Sequence, residues 1–202
     1  MKKIDECHGC RKDAGLEKPH EGISPPIICF VGFSGSGKTT VVTAVVSALN
    51  QRGFSVGTIK HDVHGFSMDT PGKDSFRHKE AGARTSVVTS PWGIGMAAEA
   101  DHDHQPHELL HLFKGHDIVI AEGFKRAKLP KIEIFRPENG KPPACRFDEC
   151  LVAVACDTHL DWGVPCFPHS PVDGLADFIL ELFGMGRPEN ARRNSGKSDM
   201  PS

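Results

Sequence analysis

No stretch of this chain approaches the ~18 consecutive apolar residues of a membrane-spanning helix, and residues 1–22 lack the apolar middle of a secretory signal. A cytoplasmic protein with no membrane role is the expectation. Neither sign of charge is in surplus: 24 Lys and Arg face 26 Asp and Glu, a formal net charge of −2. Basic strands interleaved with aromatics are missing too. These absences exclude nucleic-acid binding through bulk charge, while a local basic pocket stays open. Nor is there a disulfide framework. The seven cysteines are an odd number at scattered positions, which reads as reduced thiols. No internal repeat is visible. What is present suits a soluble globular chain: 202 residues, 38% hydrophobic and 25% charged. One ordinary domain of ~100–200 residues fits that length and holds a core without covalent staples.

Residues 1–26 are polar, carry several Gly and Pro, and show no period, so an extension outside the core is expected there. Ile27–Val31 is a short apolar run of buried-strand type. Thr39–Asn50 follows with Val42, Val45, Val46 and Leu49 at helical spacing, up to a stop at Arg52-Gly53. Further strands are expected at Ser55–Ile59, Thr85–Thr89, Ile94–Glu99, Asp117–Ala121, Lys131–Phe135 and Leu151–Ala155. Helices are expected over Ser75–Gly82, Pro106–Lys114 and Val172–Phe183. Residues 186–202 have almost nothing to bury and read as a disordered tail. Residues 27–185 are left as one domain. Strands alternating with helices imply an α/β fold, a mostly parallel sheet flanked by helices with right-handed crossovers. Ligands of such sheets sit at the carboxyl ends of the strands, so the residues just after each strand carry the functional argument.

Gly32-Phe33-Ser34-Gly35-Ser36-Gly37-Lys38-Thr39 matches G-x-x-x-x-G-K-[ST] in full, between an expected strand and an expected helix. This is a P-loop NTPase-like arrangement. Glycines let backbone N–H groups converge on phosphate oxygens, and the start of the helix adds positive dipole character. Lys38 is placed to reach the β- and γ-phosphates of a nucleotide, and the Thr39 hydroxyl to ligate Mg²⁺.

The strand at 117–121 offers two acids. Asp117 begins it and so lies at the wrong end of the sheet. Glu122 ends it and should face the phosphates, holding a Mg²⁺ water or orienting an attacking water; the alternative is a solvated acid. The polar loop from Lys60 to Ser75 is where a segment sensing the γ-phosphate would lie. Of its candidates, Asp62, Asp69 and Asp74 suit Mg²⁺ or its waters, while Lys60, Lys73 and Arg77 suit anionic groups. Two of these six are expected to be functional. Asp157 follows the strand Leu151–Ala155 and has two readings: a carboxylate accepting from the N1–H and amine of guanine, or an Asp holding the next turn.

Other signals are weaker. Cys7-His8-Gly9-Cys10 is one C-x-x-C with no second pair at zinc spacing. Asp101-His102-Asp103-His104, with His107 and His111 nearby, reads either as a transition-metal site or as a polar loop. Lys125, Arg126, Lys128, Lys131, Arg136 and Lys141 form a local basic stretch that receives an anionic ligand or is a solvated surface.

Taken together, Gly32–Thr40, Thr58-Ile59-Lys60-His61, Gly72-Lys73-Asp74-Ser75, Ala81-Gly82-Ala83, Glu122-Gly123-Phe124-Lys125 and Pro130-Lys131-Ile132-Glu133 resemble the molybdopterin-guanine dinucleotide biosynthesis adapter proteins (MobB). The resemblance runs from Ile27 to Phe183. It implies a GTP-binding protein with weak GTPase activity, a homodimer, assisting the molybdenum cofactor guanylyltransferase that joins GMP to molybdopterin. A molybdopterin-related anionic ligand belongs to the same picture. Carried over by position, Gly32, Ser34, Gly35, Ser36, Gly37, Lys38, Thr39 and Thr40 would hold phosphate and Mg²⁺. Lys60, His61, Asp74 and Glu122 would line the same cleft, with Asp157 near the base. Turnover is expected to be slow, since no arginine finger is assigned beyond the candidates Arg77 and Arg84. The rivals are a P-loop small-molecule kinase, against which the lack of an Arg-rich lid counts, and a pure binding module.

Overall fold

The computed structural model describes residues 24–66 and 69–186. The expected extension up to residue 23, its Cys7–Cys10 pair and the tail from 187 lie outside these residues. Among the described residues there are eight strands: β1 (Ile27–Val31), β2 (Val56–Lys60), β3 (Thr85–Ser90), β4 (Gly93–Ala98), β5 (Ile118–Glu122), β6 (Lys131–Ile134), β7 (Leu151–Ala155) and β8 (Cys166–Phe167). Three α-helices accompany them: α1 (Lys38–Gln51), α2 (Asp74–Glu80) and α3 (Asp173–Leu182).

Six strands form one parallel sheet in the order β2-β5-β1-β6-β7-β8. Every residue of β1, β5 and β6 is buried, because both faces of the sheet are covered. Strand periodicity divides β1 between them. Ile28 and Phe30 join the core built with Val41, Val45 and Leu49 of α1 and Leu175 and Ile179 of α3. Ile27, Cys29 and Val31 join the opposite cluster, with Phe124, Ala127, Cys145 and Leu151. Arg52 ties the end of α1 to Asp173 at 3.0 Å and Asp177 at 3.1 Å, in α3.

Pro106–Phe113 is a 3-10 helix opened by a reciprocal cap between Gln105 and Glu108. Leu109, Leu110 and Phe113 pack on the second cluster. The Phe113 ring occupies the space a side chain on Gly57 of β2 would need, which accounts for that glycine. β8 was not anticipated, its two residues being too short to carry a period.

Residues 62–104 form a separate compact unit, a division the sequence reading does not draw. It holds α2 and the β3–β4 pair. The expected strands at 85–89 and 94–99 exist, but they pair antiparallel in a two-stranded sheet of their own rather than joining the parallel set. The reason is geometric. Only Pro91 and Trp92 separate β3 from β4, and a two-residue connection suits a hairpin, whereas parallel strands need about a dozen residues. Among the described residues, no helix is long and apolar enough to cross a membrane. Among the described residues, Cys29, Cys145, Cys150, Cys156 and Cys166 are free thiols.

Candidate functional site

β1 runs out at Val31 into a loop that its glycines make possible. Gly32 has φ 146°, and a Cβ there would strike the Ile134 carbonyl oxygen and come within 2.8 Å of Ser36 Oγ. The loop is therefore seated directly against the end of β6. Gly37, at φ 88°, turns the chain into α1. Lys38 Nζ donates to the Phe33 carbonyl at 2.9 Å, folding back over the loop. Burial pushes its ammonium pKa down; Glu122 opposes this, and Lys125, Lys60 and Lys141 add to it.

Thr39 Oγ1 donates to Glu122, 3.1 Å from Oε1 and 3.4 Å from Oε2. Glu122 is only 9% exposed. Register explains the meeting: Phe30 of β1 and Lys60 of β2 both pair with Glu122 of β5, aligning three strand ends on one edge. The His61 amide donates to the Glu122 carbonyl at 2.9 Å, and the His61 ring stacks on Phe124 with centroids 4.8 Å apart. Phe124 follows Gly123 and itself adopts φ 52°. Lys125 Nζ lies 3.9 Å from the Phe33 ring centroid. Asp117, at the opposite end of β5, accepts from the Ser55 amide at 2.7 Å.

On the other flank of the loop, a single 3-10 turn at Pro137–Asn139 follows β6. A Cβ on Gly37 would lie 3.5 Å from Arg136 Nη2, and one on Gly35 would lie 3.6 Å from Asn139 Nδ2. Lys141 Nζ reaches the Ser34 carbonyl at 3.5 Å. Beyond β7, both Asp157 oxygens accept from His169, at 2.9 Å from its amide and 2.7 Å from Nδ1. That bond holds the Asp157 carboxyl below its ordinary range, and the Arg136 charge adds to the effect.

The structure sorts the remaining candidates. Of the six in the 60–75 loop, only Lys60 belongs to the first unit. Asp62 accepts from the His64 amide at 3.0 Å, Asp69 from the Thr70 amide and from Ser75 Oγ at 2.8 Å, and Asp74 opens α2. Asp101, His102 and His104 place ligand atoms within 4.8 Å of one another, where Asp101 Oδ1 and His102 Nδ1 already bond at 2.6 Å.

Lys131 requires a correction. It is neither a solvated charge nor part of a ligand-receiving surface: it is 1% exposed in β6 and paired with Asp148 at 2.9 Å. Its neighbour on the same face, Glu133, is equally buried and accepts from the Ala144 and Cys145 amides, the latter at 2.8 Å. Burial raises the Glu133 carboxyl above its ordinary range. This pair holds down the chain between β6 and β7. Arg136 is one of the basic stretch read from sequence as an anion-receiving or solvated surface; Asn139 was not singled out, since no motif links it to the loop.

A glycine-rich loop between strand and helix, at the carboxyl edge of a parallel sheet, defines the P-loop NTPase-like class. Within that class, the family model described as "Molybdopterin guanine dinucleotide synthesis protein B" (MobB) matches residues 27–157, and the chain belongs to this family. It is 35% identical over 162 residues to the molybdopterin-guanine dinucleotide biosynthesis adapter protein of Escherichia coli, covering 77% of this chain and 92% of that one. The crystal structure of Bacillus subtilis MobB superposes with a TM-score of 0.61 at 28% identity, covering 77% of this chain and 96% of the other. A tetraacyldisaccharide 4'-kinase of Actinobacillus pleuropneumoniae is 30% identical over 113 residues, but these span only 35% of the kinase.

Proposed function

We propose that this protein is a GTP-binding adapter in molybdenum cofactor biosynthesis, assisting the guanylyltransferase that joins GMP to molybdopterin. The reading is supported by a complete phosphate loop meeting a buried strand-end carboxylate, Thr39 against Glu122, in a chain of the MobB family. Loop amides from Gly32 to Thr40, with Ser34 and Ser36, face phosphate oxygens, and Lys38 exchanges the Phe33 carbonyl for β- and γ-oxygens. A hydroxyl beside a carboxylate is a hard oxygen pair suited to Mg²⁺, so Thr39 and Glu122 would hold that ion directly or through its water. The ion supplies charge neutralisation at the β- and γ-oxygens. Lys60 and His61 flank Glu122 on the same edge. Asp157 already accepts from His169 with each oxygen and keeps a free lone pair on both, so a guanine would be bound by the Asp157–His169 pair together.

Hydrolysis is slow in this reading, because Glu122 is shared with Thr39 and an Arg aimed at the γ-phosphate comes from elsewhere. Exposed Val87, Val88, Trp92 and Ile94 on the β3–β4 hairpin support a homodimer. Lys125 and Lys141 beside Phe33 suit an anionic pterin phosphate.

Calorimetric titration with GTP and ATP analogues, with and without Mg²⁺, tests the proposal. Mg²⁺-dependent GTP binding with ATP at least ~10-fold weaker, about 1.4 kcal/mol, is expected, and Lys38→Ala should abolish it. A preference for ATP would bring the kinase forward; no binding of either would sink the nucleotide reading.

A further inference from the structure

We infer that the turn after β6 is the second wall of the phosphate site: Arg136 and Asn139 bind the phosphate nearest the base, and so set affinity for any guanine nucleotide rather than the rate of γ-phosphate chemistry. The inference rests on the nucleotide reading above and deepens it.

Sheet order carries the assignment. β1 lies between β5 and β6. Glu122, closing β5, marks one flank of the loop with Lys38 and Thr39, the residues that address β- and γ-oxygens. Arg136 stands two residues past the end of β6, on the other flank. Because β6 lies between β1 and β7, a group just beyond it falls between the phosphate loop and Asp157. A nucleotide spanning from the loop toward β7 passes there with its α-phosphate and ribose.

One donor at this flank is shielded and lacks an acceptor. Among the described residues, Asn139 Nδ2 is shielded from solvent and has no hydrogen-bond partner, while it sits 3.6 Å from the Gly35 Cβ position. A shielded N–H without an acceptor is rare in folded proteins and calls for a missing partner. The Arg136 guanidinium, beside Gly37, offers a planar fork that matches phosphate geometry. Both side chains are aimed by a stiff backbone. The Asn139 amide donates to the Arg136 carbonyl at 3.1 Å and the Gly140 amide to the Pro137 carbonyl at 3.0 Å, with Gly140 at φ 63° ending the turn. Upstream, Gly32 is wedged on Ile134; downstream, Glu133 fixes the Ala144 and Cys145 amides. An arrangement held this firmly before ligand arrives favours ground-state binding.

The test measures GTP, GDP and GMP affinities of wild type, Arg136→Ala, Arg136→Lys and Asn139→Ala at fixed Mg²⁺, together with hydrolysis at saturating GTP. Arg136→Ala should weaken all three nucleotides by a common factor of about tenfold or more, the loss of one charge-assisted contact. Arg136→Lys should recover part of this, and Asn139→Ala should lose about threefold to tenfold on all three nucleotides. Thermal melts of Arg136→Lys separate loss of binding from loss of fold. A penalty confined to GTP with a fall in kcat would overturn the inference, as would unchanged affinities in variants of a wild type that binds. A wild type that binds no nucleotide overturns the parent reading with it.

Discussion

β1 and the β3–β4 hairpin are both apolar-rich extended segments, yet they live in opposite environments. All five residues of β1 are buried, whereas in the hairpin Ser86 alone reaches that state, and Trp92 and Ile94 are 86% and 78% exposed. β1 is paired on both edges, by β5 and β6, whereas β3 and β4 pair only with each other. The difference is cover: α1 and α3 on one face of β1, the Phe124 and Leu151 cluster on the other. Strand pairing without cover is marginal in water. Apolar side chains that stay in solvent add nothing to the stability of a single chain.

The sharpest way to break this comparison is to truncate one side chain in each region. Phe30→Ala should cost ~3–5 kcal/mol in urea unfolding, the range for removing a buried aromatic. A cost within 0.5 kcal/mol, ordinary for exposed sites, would show that β1 is not the centre of the core. Gly57→Ala comes next. Its new methyl displaces the Phe113 ring, for an overpacking penalty of ~1–3 kcal/mol, and the fluorescence-monitored melt should fall accordingly.

Glu133 gives a smaller and pH-dependent effect. Its carboxyl pKa is raised in the folded state, so the native protein binds that proton more tightly than the unfolded chain. The associated stability is complete below the ordinary carboxylate range and is lost as pH rises through the raised native value. The stability of wild type relative to Glu133→Gln, read from paired urea titrations, should therefore fall on going from pH ~4 toward pH ~7. A difference that grew with pH would reverse the assigned cause. Smallest of all, Ile94→Ser should leave the unfolding free energy of one chain within about 0.5 kcal/mol. Sedimentation at several concentrations should nonetheless show weaker self-association; an unchanged mass with lost stability would mean the hairpin is packed within its own chain.

What could be read beforehand follows how local each feature is. The Gly32–Thr39 loop is contiguous, so its glycines and Lys38 declare themselves in eight residues. Glu122 is found by asking which acid ends its strand rather than begins it, a question of polarity that needs only the parallel fold. The expected strands at 85–89 and 94–99 leave residues 90–93 between them, and nothing in that spacing says that they pair with each other apart from the parallel sheet. Lys131 was misread for a different reason. It belongs to a basic run in the chain, but its burial is decided by β6 lying between β1 and β7, and its partner Asp148 stands 17 residues away. Asn139 escaped on the same grounds, and Arg136 was read only as a member of that basic run, not as a neighbour of the phosphate loop. Their approach to Gly37 and Gly35 spans about a hundred residues of chain and depends on strand order, which no spacing rule supplies. Asp157 stayed undecided from sequence, and its two oxygens accept from His169, twelve residues further on, a long-range contact that no local spacing announces.

The Phe113 ring lying over Gly57 has a consequence for how the chain is modular. Residues 62–104 leave from the end of β2, and the segment that follows them docks back on β2 itself. Exit and re-entry are thus moored to one strand, and the parallel sheet closes with no contribution from what lies between. To the first unit, 62–104 is an exchangeable cassette. Shortening, grafting or swapping it should leave the parallel sheet, the phosphate loop and its Glu122 edge intact.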